Sequence, residues 1–577
     1  MLSHFRRYQH WLHLAGILWL NVYLVRQIFS IEFSAQPQSM HGFWMAIARL
    51  ADGHWWTPHW WPYWYGGMPF ELTYAPLLPW LTKHLGLHTV FGLSLCLGPL
   101  ALYWFAWRPT GKAGWSFVAA IVYSLTAPTE LLFPDASFDW RHLGDARRMY
   151  LQIVWDETPH YLALGFLFLG WRWWAVALAA LANAFGVMGA ILLGLCWCVV
   201  SGEWRKVALA GVLGYLVVCP FYPPSMLPLL RANAALFPGT AWSAASAWGL
   251  AGTVVGMALL WALSRRLPSY GRFFLLLTFL FAVIPWLEVR WGSHFVLQPM
   301  RYKIELEFAL VLSAVFTVAA LVDRTPIWCR ALLGLALLWP ASEQVIRIRR
   351  FSKELVRSSD ADGMVEYRAA RWIEQNIPRK LVFAPGSIAQ WMNAFSNVKQ
   401  YTGGSYPTAP TTMQQTLMWA VFSETEADRA IALLQQAGVE AFVVSGRNSS
   451  EFWKPYAKPE IFVDRLELLW EEQGTRIYAV PRQGTIAVEW HDDNHFFAAG
   501  PGTTPVNWHV GWRAFRADGS SSPITANAQG QIVVNEPVLL AYDGGLEAKL
   551  CRAVSVLTLL GCIAWPLWRR RKLPVNH

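Results

Sequence analysis

The chain has 577 residues, of which 55% are hydrophobic and 15% charged, with a net charge of +10 and a mean hydropathy of +0.29. Soluble domains carry about 25% charge, so a purely soluble enzyme is excluded. The 36 Trp exclude disorder, which is poor in aromatics. The basic excess is unevenly placed. Residues 351–548 hold 16 Lys+Arg and 22 Asp+Glu, a net of −6, and the other 379 residues hold 31 and 15, a net of +16. A positive balance confined to the apolar part reads as membrane topology rather than as a nucleic-acid patch. Membrane lipid is therefore an expected partner, and nucleic acid is not.

Apolar stretches near the ~20 residues that a bilayer requires fall at 11–30, 88–107, 114–133, 151–170, 206–222, 244–264, 271–289, 304–323, 326–345 and 549–568. The first has no small-residue cleavage site and contains Arg26, so it reads as a retained helix rather than a signal peptide. Residues 172–200 read as two short helices split near Asn183–Gly186. A single helix there would carry Arg205 and Lys206 to the side opposite most other basic residues. About twelve membrane segments result, with both termini on one side. That side collects 16 Lys and Arg against 8 in the short loops opposite, which makes it cytoplasmic. The expectation is a multi-pass protein of the cell inner (plasma) membrane with residues 346–548 extracytoplasmic.

The first outer loop, 31–88, is rich in Trp and His and poor in Lys and Arg. Met40, Phe43, Trp44, Ile47 and Leu50 recur at helical spacing, predicting an amphipathic helix over 39–51 lying in the membrane interface. The Trp- and Pro-dense run 54–64 follows, broken by Gly66, Gly67 and Pro69. Such rings form an aromatic belt at headgroup level, or stack on the apolar faces of a bound ligand. Both can hold at once. Trp64, Tyr65 and Tyr74 are the candidate stacking residues.

Acids and outer cations come next. Asp135 and Asp139 are four apart, one face of a helix, and could share a cation, or pair with Arg141, Arg147 and Arg148. Asp156 and Glu157 sit inside an apolar run before Pro159. At membrane depth they would be costly and hence functional; just above it they would be ordinary. Arg290, Arg301 and Lys303 face outward against the positive-inside trend. The planar fork of Arg suits phosphate, although Glu305 and Glu307 are near enough in sequence to neutralise Arg301 and Lys303 instead. All seven cysteines lie in or beside apolar segments, as small buried hydrophobes do.

The hydrophilic part divides in two. A helix over 362–375 stopped by Pro378, a strand at 380–384, a helix from a Thr425–Asp428 capping box to Ala437, and a strand Ala441–Ser445 predict a small α/β layer structure. From about 483 short alternating runs, such as Gln531–Val534 and Val538–Tyr542, predict a β-sandwich-like module. The fold class is thus a polytopic all-α membrane core over 1–345, an external α/β domain over 346–482, an external β-rich module over 483–548, and a final helix with a basic tail over 549–577.

The first-loop block LADGHWWTPHWWPYWYGGMPFELTYAPLLPWLTKHLG resembles the GT-C superfamily, the membrane glycosyltransferases that use polyprenyl-phosphate-linked sugars. QPMRYKIELE resembles the late outer-loop Arg-Tyr element of that group. VGWRAFRADG followed by LLAYDG is similar to the C-terminal module of the YfhO-like branch, bacterial membrane proteins labelled "6-pyruvoyl-tetrahydropterin synthase-related". The resemblance implies a polyprenyl-phosphate-linked sugar as partner, an outer carboxylate that deprotonates the acceptor or holds a divalent cation, and cations for the phosphate. The family's acid falls where this chain has Gln36 and Gln38, and an amide is no base. Glu32 is the nearest carboxylate and His41 the nearest imidazole, so the catalytic candidates are Glu32, His41, Asp135 and Asp139. The substrate-binding candidates are Arg290, Arg301, Lys303, Trp64, Tyr65 and Tyr74. No cofactor follows beyond that cation. A catalytically degenerate relative, binding lipid-linked glycan or assisting surface-polysaccharide assembly, is the alternative. A transporter is a third class, disfavoured because no internal repeat is visible.

Overall fold

A computed structural model describes residues 2–35, 39–51, 53–133, 143–236 and 242–572. The chain divides into two compact units. The first comprises Met1–Gln36, His88–Tyr215 and Phe237–Ser358; the second comprises Pro37–Leu87, Leu216–Leu236 and Ser359–His577.

The first unit is helical. Among the described residues seven helices are long and apolar enough to cross a membrane: Tyr8–Ser30, Leu87–Thr110, Ala184–Ser201, Ala244–Arg266, Ser269–Trp291, Pro299–Val322 and Ile327–Leu355. These are the helices of a multi-pass membrane protein. The count of twelve is not reproduced, because several apolar stretches form helices too short to span. They are Ala113–Leu125, Thr158–Leu167, Trp173–Ala182 and Trp204–Val218. The break within 172–200 falls at Asn183, whose side chain accepts from the Phe185 N–H at 2.9 Å and starts a new helix. Large apolar side chains stand bare on the outside, among them Leu263, Ile327 and Trp339, as lipid-facing positions do. The interior packs Phe168, Phe273 and Phe281 in one cluster with Phe308 of the helix Lys303–Val322.

The second unit combines part of the first loop with the hydrophilic region. A four-stranded sheet runs in the order Val382–Phe383, Ala441–Ser445, Thr475–Ala479, Leu468–Glu472. The first pair is parallel and the others antiparallel. Ala441–Ser445 is buried along its whole length, as suits a central strand that is apolar up to Ser445. The helix ending at Gln436 starts at Ala427, but without the Thr425–Asp428 capping box. Its N-cap is Glu426, and the Glu424 carboxylate accepts from the Thr425 and Glu426 N–H groups instead. A capping box does occur at Thr411 and Gln414, opening Thr412–Ser423.

A five-stranded sheet (Ser521–Ser522, Trp512–Phe515, Val538–Tyr542, His495–Ala498, Val488–Asp492) accompanies a three-stranded one (Thr525–Ala526, Gln531–Val534, Gly502–Asn507). Their core holds Phe496, Trp512, Ile532, Leu540 and, from the first loop, Trp60. Trp60 lies 5.0 Å from the Trp512 ring and 5.1 Å from Tyr542. The loop turns at Gly67, whose φ of +101° suits glycine, and Asn507 donates to the Tyr65 and Gly67 carbonyls at 2.7 Å each. The helix Ser39–Leu50 forms as its spacing predicts, and its apolar residues Phe43, Trp44 and Ile47 are buried in protein. It is buried on most sides against Gly386–Phe395. A Cβ at Gly42 would meet the Trp391 ring at 2.5 Å, so only glycine permits this approach.

Glu451 is buried in this unit beside Glu366, both near the Ser387 hydroxyl at 3.4 and 2.8 Å. Burial pushes the Glu451 carboxyl from 4.5 up to about 7, and Glu366 pushes the same way. An acid raised in the folded state favours folding while protonated. Stability should therefore fall as pH rises from about 4.5 to 7, by about 3 kcal/mol, and then level off. Unfolding midpoints across that window check this, and Glu451→Gln should flatten the slope; an unchanged slope in that variant would refute the assignment.

Candidate functional site

Ionisable side chains concentrate inside the first unit. The helix Thr158–Leu167 carries His160 inward, and the helix Lys303–Val322 carries Glu305 and Glu307 on the buried face opposite. His160 Nε2 lies 2.8 Å from Glu305 Oε1, and His160 Nδ1 approaches Glu157 Oε2 at 3.4 Å. Glu157 Oε1 is in turn 3.4 Å from Arg301 Nε. The row runs from outside to inside: the Arg301 side chain is 42% exposed, Glu157 10%, His160 and Glu305 1% each. Phe185 supports it, stacked on the His160 imidazole at 5.2 Å and lying under the Arg301 guanidinium at 5.1 Å.

A second buried cluster flanks the first. Arg147 bridges Glu130 Oε1 at 2.9 Å and Glu307 Oε2 at 2.8 Å, and Thr129 donates to Glu307 at 3.0 Å. Arg148 donates to Asn21 at 2.8 Å and lies over the Tyr123 ring. Buried charges persist only when paired and hydrogen-bonded, and these are paired. Yet Glu305 Oε2, Glu307 Oε1 and the Tyr302 hydroxyl are buried with no hydrogen-bond partner among the described residues. Native interiors seldom leave such atoms unsatisfied, so the cluster keeps capacity for a proton or a ligand hydroxyl. Tyr161, next along from His160, lines an apolar groove of about 620 Å³ with Leu14, Leu97, Trp104 and Phe166.

The residues singled out from sequence are dispersed. Glu32 is exposed in the first unit, and Asp135 and Asp139, with Gln36 and Gln38, lie outside the described residues. His41 is 1% exposed in the second unit, as are Trp64 at 1% and Tyr65 at 0%. Trp64 stacks on Phe43 at 4.6 Å and donates to Asn393, so its faces are occupied by protein. Tyr74 is half-buried, edge-on to Phe43. Arg290 is exposed near the end of Ser269–Trp291, and Lys303 is buried at the start of its helix. Arg301 meets Glu157, whereas Glu305 and Glu307 turn to His160 and Arg147. Neighbourhood in sequence had suggested Arg301 and Lys303 as their partners, but on a helix these acids point inward. His160 was missed, although its place three residues after Glu157 puts both on one helical face. Among the described residues no three His, Cys, Asp or Glu side chains gather as a metal-holding group.

No family model matches the sequence, and no curated protein matches it. Among solved structures, the chain is similar to the Archaeoglobus fulgidus oligosaccharyltransferase in complex with Zn and sulfate, at 12% identity and a TM-score of 0.42, over 75% of this chain and 67% of that one. It is also similar to the arabinofuranosyltransferase AftD from Mycobacteria, at 16% identity and a TM-score of 0.44, over 91% of this chain and 46% of that one. A mutant form of AftD gives 16% and 0.43. The chain spans about half the length of AftD. Likeness at this level assigns no chemistry, and the reading of the site rests on its own residues.

Proposed function

We propose that this chain is a membrane glycosyltransferase that moves a sugar from a polyprenyl-phosphate-linked donor to an extracytoplasmic acceptor. The observation that carries the reading is the row Arg301–Glu157–His160–Glu305, an exposed guanidinium leading to a carboxylate backed by a buried imidazole. In this reading Glu157 takes the proton of the acceptor hydroxyl as its oxygen attacks the anomeric carbon. The bond from that carbon to the phosphate oxygen breaks, and the phosphate leaves with the electron pair toward Arg301, whose fork suits it. His160 and Glu305 are positioning residues: the imidazole stands behind Glu157, and Glu305 orients the imidazole from its other side. The apolar groove beside Tyr161 would take the isoprenoid chain. The first-loop resemblance supports the same class, with both termini cytoplasmic, residues 346–548 outside, and Glu32, Asp135, Asp139, Arg290 and Lys303 as further contacts. A divalent cation, if bound, would neutralise the phosphate.

The test is incubation of purified protein with polyprenyl-phosphate sugars and candidate acceptors, followed by mass spectrometry. Binding with sugar release that Arg301→Ala weakens through a raised KM is the expected result. Binding without release, with acceptors and divalent metals supplied, would favour a non-catalytic glycan binder. One observation favours that second reading: His41, Trp64 and Tyr65 are buried as packing residues, so this part of the first loop serves structure.

A further inference from the structure

Residues 351–548 carry net negative charge, yet one cleft in the second unit gathers cations. Arg379, Lys399 and Arg482 line it together with Glu440, Thr485 and Trp490. Arg482 Nη2 pairs with Glu440 Oε2 at 2.7 Å. Lys399 Nζ sits 5.0 Å from the Trp490 ring and 6.0 Å from Tyr63, the geometry of a cation held on aromatic faces. Burial pulls the Lys399 ammonium below its usual range, while Asp493 opposes this. Asp493 is itself occupied, accepting from the Tyr63 hydroxyl at 3.1 Å. Arg379 is exposed at the rim.

We infer that this cleft binds a single carboxylate-bearing sugar residue, such as a uronic acid residue within a surface glycan. Three cations and one carboxylate, Glu440, line the cleft, and Asp493 lies near Lys399 outside the lining, so positive charge is in excess and suits an anion. A partly desolvated ammonium on an aromatic face and an exposed rim guanidinium are suited to carboxylate recognition, since hydrogen bonds to charged groups are the stronger ones. Thr485 adds a hydroxyl for a sugar OH. That the carboxylate belongs to a sugar rests on the glycosyltransferase reading; that an anion binds does not. The cleft is built where the first loop, at Pro62 and Gly66, meets the α/β and β-rich parts, so the Trp-Pro run forms one of its walls.

The experiment is calorimetric titration of the full-length protein in detergent with trigalacturonate, maltotriose and inorganic phosphate. Trigalacturonate should bind, and maltotriose should not. Arg379→Gln and Lys399→Met should each weaken binding by about tenfold or more, Arg379→Gln without shifting the unfolding midpoint, and added salt should weaken it further. Arg379 is exposed, so that variant keeps the measurement interpretable if Lys399→Met fails to fold. Absence of trigalacturonate binding, or equal affinity for maltotriose, overturns the proposal. Phosphate binding as tightly as trigalacturonate overturns the saccharide class. Glu157→Gln should retain this binding while losing turnover, which separates failure here from failure of the catalytic reading.

Discussion

Arg147→Met should unfold or severely destabilise the protein. The Arg147 side chain is 2% exposed, and each carboxylate it bridges, Glu130 and Glu307, is 1% exposed. Removing the guanidinium takes from both acids the positive charge it supplies in a low-dielectric interior, a loss of about 3–5 kcal/mol. Since folded proteins are stable by only about 5–15 kcal/mol, the expected readout is a much lower unfolding midpoint in detergent, with loss of monodisperse protein. The triple variant Arg147→Met, Glu130→Gln, Glu307→Gln should recover much of that loss, because neutral amides need no countercharge. A single variant that melts at the wild-type temperature would show that the bridge does not hold the unit together.

Turnover carries the second large effect. Glu157→Gln should lower kcat about 10²–10⁴-fold, the usual contribution of a positioned acid or base, while donor binding and the unfolding midpoint stay near wild type. His160→Gln should lower kcat less and displace the acidic limb of the pH–rate profile, because the imidazole acts on Glu157 rather than on substrate. A merely structural histidine would change stability without moving that limb. Transfer at the wild-type rate by Glu157→Gln would remove it as the base and return attention to Glu32, Asp135 and Asp139.

Much of the architecture was legible in the sequence, and the reasons are local. Apolar stretches of bilayer length mark membrane helices because unsatisfied backbone groups are intolerable in lipid. The helix break at Asn183 was visible as a topological conflict, and Ala441–Ser445, Gln531–Val534 and Val538–Tyr542 were visible as strands from their patterning. Composition alone excluded a soluble enzyme, and the charge of 351–548 set that region apart from the apolar part. Arg301 and Glu157 were both legible as unusual: a cation between two apolar stretches and an acid within an apolar run.

What local pattern could not decide was which charged groups meet. Glu305 and Glu307 neighbour Arg301 and Lys303 in sequence, but helix geometry aims them at His160 and Arg147, more than a hundred residues away. The first loop shows the same limit. Its Trp residues are amphipathic, and their spacing fits a membrane belt, a ligand platform or a protein core equally well. Only the tertiary structure places Trp60 against Trp512 and Trp64 against Phe43 and Asn393. The helix Ser39–Leu50 was legible as a helix, but not the protein packing of its apolar face, because hydrophobic periodicity reports that a face is buried without saying what buries it. The sequence by itself determined membrane residence, element types and the anomalous charges. Pairing of those charges and the partners of the aromatic loop depend on contacts between segments far apart in the chain, and those were decided by the tertiary structure.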